Sequence, residues 1–195
     1  MKKSKIVMIV GALLILALFF FPLWRITIEA PQYPEAIGMH IWINKITDAN
    51  PNDIKNINLM NHYVGMKDIP VHMSEFDLFP YVVSIMSVLG VIAGFIGKRK
   101  LYITWFVVMA ILGTMGMYDF YLWEYDYGHN LNSKAAIKFT DAEGNPMAYQ
   151  PPLIGNKMIL NFMARSWPAT GAYLLFTGML LSVTAFFVDK KDDKT

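Results

Sequence analysis

The residues with the most potential for chemistry are histidines that stand beside methionines. Met39 precedes His40, His62 lies between Met60 and Met66, and His72 precedes Met73. Thioether sulfur and imidazole nitrogen together suit copper, above all Cu(I), whereas hard cations prefer oxygen ligands. Since the chain contains no cysteine, these are its remaining soft donors. The pattern predicts a copper site with His62 and Met66 as central ligands, and with a wider donor set of Met60, His72, Met73, His40, Met39 and His129.

Two other interpretations of these residues stay open. Methionine often fills gaps in hydrophobic cores, so the same side chains can be purely structural. Another metal or haem is the second alternative. The predicted membrane helices contain no histidine, although a haem in a membrane protein normally takes its ligands there, and this weighs against haem.

The element expected to position His62 is a short helix. Asn50-Pro51-Asn52-Asp53 is typical of a helix start, with Asn50 as the N-cap residue, and Gly65 is expected to end the helix. If the helix reaches Met66, His62 and Met66 are four residues apart and share a face. If Gly65 ends it first, Met66 can fold back toward His62.

A second group of chemically interesting residues runs from Asp119 to Asn130. Its aromatic side chains are typical of a belt where a helix leaves the bilayer. Asp119 lies near the apolar edge and needs a partner there. We expect a salt bridge to Arg25 or Arg165, while a metal site shared with His129 is the alternative.

The composition indicates a membrane protein. Of the 195 residues, 55% are hydrophobic and only 16% are charged, which is too apolar for an ordinary soluble domain. Four segments have the length and apolarity of membrane helices, at about 6–24, 78–96, 101–122 and 168–188. Gly90 and Gly94 are expected to serve packing within this chain. The first segment is expected to be retained, because no small-residue cleavage site follows it.

The lysines predict the orientation of these segments. Lys2, Lys3 and Lys5 precede the first segment, and Lys98, Arg99 and Lys100 fill the short turn between the second and third. The loop at about 25–77 carries four basic residues against seven acidic ones, and the stretch from Asp119 to Arg165, which includes most of the loop at about 123–167, carries four against five. By the positive-inside rule, both termini face the cytoplasm and both loops are extracytoplasmic.

The resulting fold prediction is an all-α membrane protein with one domain spanning 1–195. A four-transmembrane-helix bundle carries a small cap of short strands, around 25–29 and 39–43, and the one short helix. The second loop is expected to contain a turn at 141–146 and a short amphipathic segment around 157–163.

Several classes of function are excluded or disfavoured. The absence of cysteine excludes disulfides and thiolate metal sites. A net charge of +2 with both signs mixed indicates no nucleic-acid partner. No serine or threonine has a poised histidine and no phosphate-binding glycine loop is present, so we predict that the chain is not an enzyme.

Four strings carry a family resemblance: Tyr33-Pro34-Glu35, Asn61 to Lys67, Trp123 to Asn130, and Tyr149 to Gly155. They resemble a family of small four-helix bacterial membrane proteins encoded near the genes for nitrous oxide reductase and its copper maturation. The resemblance implies a denitrification accessory role, in copper handling or in assembly of an extracytoplasmic cuproenzyme, with copper as cofactor. It also implies a protein partner in or outside the membrane, and a place in the inner membrane of a bacterium, with both loops in the periplasm. The alternative is a scaffold or anchor subunit of a respiratory redox complex that holds no metal.

Overall fold

The computed structural model describes residues 2–140, 144 and 147–192, with side chains up to residue 189. The helices are α1 (Lys3–Leu14), α2 (Asp53–Val64), α3 (Ser74–Ile96), α4 (Arg99–His129) and α5 (Thr170–Asp192), and a 3₁₀ helix (Ile15–Phe19) continues α1. The strands are β1 (Trp24–Glu29), β2 (Ile37–Ile41), β3 (Ile46–Asp48), β4 (Gly155–Ile159) and β5 (Phe162–Pro168).

The predicted all-α fold is wrong, because the strands form one five-stranded antiparallel sheet in the order β3-β2-β1-β5-β4. Its centre is the pairing of β1 with β5, in which Trp24 lies opposite Pro168 and Glu29 opposite Met163. The two strands come from the two loops that flank α3 and α4. Alternation of polar and apolar residues indicates that a segment is a strand, but it does not reveal which distant strand will pair with it. For this reason the sequence predicted only a small cap of short strands.

The predicted count of four membrane helices is also wrong. Among the described residues, three helices are long and apolar enough to span a membrane: Ser74–Ile96, Arg99–His129 and Thr170–Asp189. The first predicted segment is divided into α1, of 12 residues, and the 3₁₀ helix, of five. Trp24, its last predicted residue, already belongs to β1, since Pro22 cannot supply the backbone donor that a continued helix needs.

The helices α1, α3, α4 and α5 pack side by side beneath the sheet. At one end of α1, Ser4 donates a hydrogen bond to Asp189, and past its other end the backbone N–H of Gly171 donates to the carbonyl of Pro22. The α1 and 3₁₀ helices therefore follow α5 antiparallel along most of its length. A Cβ on Gly90 would lie 2.6 Å from the Cβ of Ala12, which confirms that Gly90 serves packing within the chain.

The sheet has two different faces. Trp24, Ile26 and Met39 point to the inner face, where the side chains contact α2 and α4. Arg25 and His40, which lie directly opposite each other on β1 and β2, point to the outer face. This alternation follows from the two-residue period of a strand, and it separates the apolar residues from the charged ones.

The remaining differences from prediction concern the loops. The α4 helix continues to His129 because its aromatic extension packs on the sheet: the Phe120 ring meets Trp24 edge-on, with centroids 5.7 Å apart. The α3 helix begins at Ser74, so both loops are shorter than expected. The 157–163 segment is the β4–β5 hairpin, and five residues of the predicted turn, 141–143, 145 and 146, lie outside the described residues.

Candidate functional site

A small cavity lies between the inner face of the sheet, α2 and the extension of α4. It has a volume of about 90 Å³, and we call it the inner cavity. Tyr149 and Pro151 close one side, in a segment that is anchored because the Tyr149 N–H donates to the Gly128 carbonyl at 2.9 Å. Most of the wall is aliphatic or aromatic, so the few polar and sulfur-containing side chains determine its chemistry.

Glu124 is the most unusual residue of this wall. Its side chain is completely buried, with 0% exposure, and neither carboxylate oxygen has a hydrogen-bond partner among the described residues. An unpaired buried carboxylate is costly, and a native polar group without a partner calls for a specific explanation such as a bound ion, a water or a functional role. Glu124 is therefore the anchor of the candidate site.

Three methionines line the inner cavity together with Glu124. Met39 is 4% exposed and comes from β2, while Met60 and Met66 come from α2 and the turn after it. The Met60 sulfur also accepts a long hydrogen bond of 3.7 Å from Gln32 Nε2. Elements far apart in the chain thus bring three methionines and one glutamate to the wall of one small cavity.

The turn after α2 positions Met66. The helix ends at Gly65 as predicted, with the left-handed φ of 81° that glycine adopts without strain. The Met66 N–H donates to the Asn61 carbonyl at 2.9 Å, and Asn61 Nδ2 donates to the Lys67 carbonyl at 3.0 Å. The start of α2 differs from prediction, since the N-cap residue is Asn52 rather than Asn50.

The structure does not bring His62 and Met66 together in the way the spacing suggested. His62 is exposed on the opposite face of α2, where its ring meets the edge of Tyr63 at a centroid distance of 6.2 Å. The buried positions of α2 are Asp53, Ile57 and Asn61. Met66 lines the inner cavity and His62 does not.

The predicted ligands His72, Met73 and His129 also lie outside the inner cavity. His72 forms an exposed pair with Asp77 at 3.2 Å, and Met73 immediately precedes α3. His129 stacks on Tyr125 with centroids 3.9 Å apart, and its Nδ1 lies 2.9 Å from the Tyr125 carbonyl. In the described part of the chain, no three residues of the types His, Cys, Asp and Glu are grouped to hold a metal.

His40 lies on the outer face of the sheet. Partial burial lowers its pKa below the ordinary value of 6.5, and the neighbouring Arg25 cation lowers it further, while a hydrogen bond with the Asp48 backbone opposes the change. A neutral imidazole is a possible metal ligand, but Arg25 repels cations from this position. His40 therefore lies on the opposite face of the sheet from the inner cavity and is not one of its lining residues.

The expected salt bridge of Asp119 is wrong, because Arg165 instead pairs with Glu29 at 2.8 Å and the Arg25 side chain forms no ion pair with any described residue. The feature that the sequence interpretation missed is Glu124, which it left among the belt residues. The sequence offered one signal for Glu124, which is an acidic residue within a run of aromatic residues. An aromatic belt at a membrane surface does not require an acidic residue.

No protein-family model matches the chain, and no curated protein matches it. Its described residues form three membrane-length helices, an antiparallel sheet and a small cavity between the sheet, α2 and the extension of α4. Its function must follow from that geometry.

Proposed function

We propose that this protein is a membrane-anchored copper-handling protein that binds Cu(I) in the inner cavity. The observation that carries the proposal is the Glu124 carboxyl group, which has no partner among the described residues and lies in the wall of a small cavity that Met39, Met60 and Met66 also line. The proposal keeps Cu(I) as the bound metal and methionine sulfur as its soft ligand. It keeps Met66 from the predicted central pair but not His62.

The donor set is suited to Cu(I) for two reasons. Thioether sulfur is a soft ligand that selects Cu(I) over hard cations. On binding Cu(I), the Glu124 carboxyl group would lose its proton to solvent and supply one negative charge, so that the bound monovalent ion and its ligand are neutral together. Pairing matters because an isolated charge of either sign is strongly disfavoured in a buried apolar site.

The proposed orientation places the inner cavity outside the cytoplasm. Lys5 lies at the end of the bundle opposite the sheet, where its Nζ donates to the Phe95 carbonyl at 2.8 Å, close to the turn that carries Lys98 and Arg99. Basic residues at this end favour the cytoplasmic side of a bacterial inner membrane. The sheet then faces the periplasm, where a cysteine-free chain can offer thioethers to copper.

Within this proposal, the protein is an accessory factor rather than an enzyme. Copper held in the inner cavity would be passed to an extracytoplasmic or membrane protein partner, and nitrous oxide reductase is the recipient that the sequence resemblance suggests. Access to the cavity would require the segment around Tyr149 and Pro151 to move, because that segment closes one side.

The test is competition for Cu(I) between the purified protein in detergent and a Cu(I)-specific chromogenic chelator. Met66→Leu, Met39→Leu and Glu124→Gln should each lower the affinity by about tenfold or more, since each removes one ligand worth about 1.4 kcal/mol. Met115→Leu is the matched control, because Met115 is exposed on α4, away from the cavity. Near-ultraviolet circular dichroism should confirm that each variant folds.

His62→Ala distinguishes the inner cavity from the pair that the spacing suggested. If Cu(I) binds in the inner cavity, His62→Ala keeps the full affinity, because His62 is exposed on the far face of α2. Loss of binding with His62→Ala and not with Met66→Leu would contradict the proposal. If the unmodified protein does not compete for Cu(I) at all, the scaffold or anchor function takes its place.

A further inference from the structure

The outer face of the sheet bears a second, larger cavity that the copper proposal does not use. It has a volume of about 610 Å³ and lies between β1, β2 and β5 and the first turn of α5. We call it the outer pocket. Its lining includes Arg25, His40, Arg165, Glu29, Trp167 and Tyr173.

The outer pocket is positively charged. Arg165 is neutralised by Glu29, its ion-pair partner at 2.8 Å, and Glu29 is the one acidic residue among the described residues of the lining. The Arg25 side chain has no hydrogen bond or ion pair with any of the described residues, and Arg25 lies directly opposite His40 in the sheet. A free guanidinium therefore faces the pocket, and guanidinium groups bind phosphate through paired, charge-assisted hydrogen bonds.

The position of the outer pocket indicates the source of the phosphate. Pro22, Ala169, Thr170 and Tyr173 line its lower edge, where the chain passes between the sheet and a helix long enough to span the membrane. Tyr173 and Trp167 are 60% and 48% exposed at this edge. Aromatic residues of this kind concentrate at the level of the lipid headgroups, so the pocket opens where headgroups lie.

We propose that the outer pocket binds the phosphate of an anionic phospholipid, with Arg25 as its principal partner. His40 and the Arg165–Glu29 pair form the walls beside the phosphate. The exposed rings of Trp167 and Tyr173 contact the glycerol and upper acyl region. The Trp167 ring is fixed in its orientation by a hydrogen bond, which its Nε1 donates to Asn156 Oδ1 at 3.0 Å.

The test compares three ligands on the full chain in a neutral detergent. A short-chain phosphatidylglycerol should raise the thermal midpoint in a saturable manner, whereas phosphatidylcholine of the same chain length and inorganic phosphate should not. Arg25→Gln should weaken the phosphatidylglycerol effect by about tenfold, as expected for the loss of a charge-assisted pair of hydrogen bonds.

Lys55→Gln is the matched control, because it removes the same charge from an exposed position of α2 and should leave the affinity unchanged. Arg25→Lys, which retains the charge without the fork of donors, should give an intermediate affinity. Equal weakening by Lys55→Gln would show general charge attraction and overturn the proposal. An equal response to inorganic phosphate would overturn its lipid part, and an undiminished affinity of Arg25→Gln would overturn the site.

Discussion

Ser4 and Asp189 lie 185 positions apart in the chain and are joined by a buried hydrogen bond of 2.9 Å between the start of α1 and the end of α5. Both side chains are buried, and Lys2 Nζ approaches the same carboxylate oxygen at 4.0 Å. This hydrogen bond joins α1 to α5 at the end of the bundle that is away from the sheet.

Replacing Ser4 by alanine should therefore destabilise the bundle. The change leaves a buried carboxylate short of one donor, at a cost of about 1–2 kcal/mol. Thermal unfolding in detergent measures the effect, and Thr184→Ala is the control because its hydroxyl bonds only the carbonyl one turn earlier on exposed α5 surface. Equal midpoints for Ser4→Ala and the unmodified protein would contradict the assigned bond.

The contact between Gly11 and Gly178 should be equally sensitive to added volume. A Cβ on Gly178 would lie 2.6 Å from the Gly11 carbonyl oxygen, so α1 and α5 would have to separate. We expect Gly178→Ala to cost about 1–3 kcal/mol of stability, as overpacking does. Gly113→Ala is the control, since nothing lies within 4 Å of its added Cβ and alanine favours the helix. Matching losses in both variants would show that close packing is not the cause.

Glu124→Leu should stabilise the protein when no metal is present. The substitution removes a fully buried carboxyl group that has no partner among the described residues, and such a group costs about 1–3 kcal/mol. Chemical unfolding of metal-free protein measures the gain, with exposed Glu35→Leu as the comparison. A lower stability of Glu124→Leu would mean that the carboxyl group is satisfied in the folded protein.

His40 should make the folded protein sensitive to acid. Because burial and Arg25 lower its pKa below 6.5, the unfolded chain binds a proton more readily than the folded one. Stability is then unaffected by this group above about pH 6.5, and it falls as the pH drops from there toward the lowered pKa. His40→Gln should flatten this part of the profile of thermal midpoint against pH. Identical profiles for His40→Gln and the unmodified protein would remove His40 as the cause.

The proposed orientation predicts that the sheet and the turn after α3 lie on opposite sides of the membrane. A reporter that works only in the periplasm should be active when it is inserted after Asn50, next to α2. A reporter that works only in the cytoplasm should be active when it is inserted after Lys98, because the basic residues there are retained inside. Activity on the same side at both positions would refute the orientation.

Local features of this chain could be predicted from its sequence. The apolar runs in α3, α4 and α5 are local properties, and so are the helix at Asp53–Val64, its end at Gly65 and the alternation in β1. Each depends on residues within one or two turns of the position concerned. The soft donors Met39, Met60 and Met66 could also be named, because their chemistry does not depend on the fold.

Only the tertiary structure decided how these parts combine. The pairing of β1 with β5 joins residues separated by both long helices, and it converts two isolated strand signals into the centre of a sheet. The same folding puts three methionines and Glu124 around one cavity and leaves His62 on the surface. Spacing along a chain specifies which face of one element a residue occupies, but which faces meet depends on packing between distant elements, and that is why the ligand types were predictable while their grouping was not.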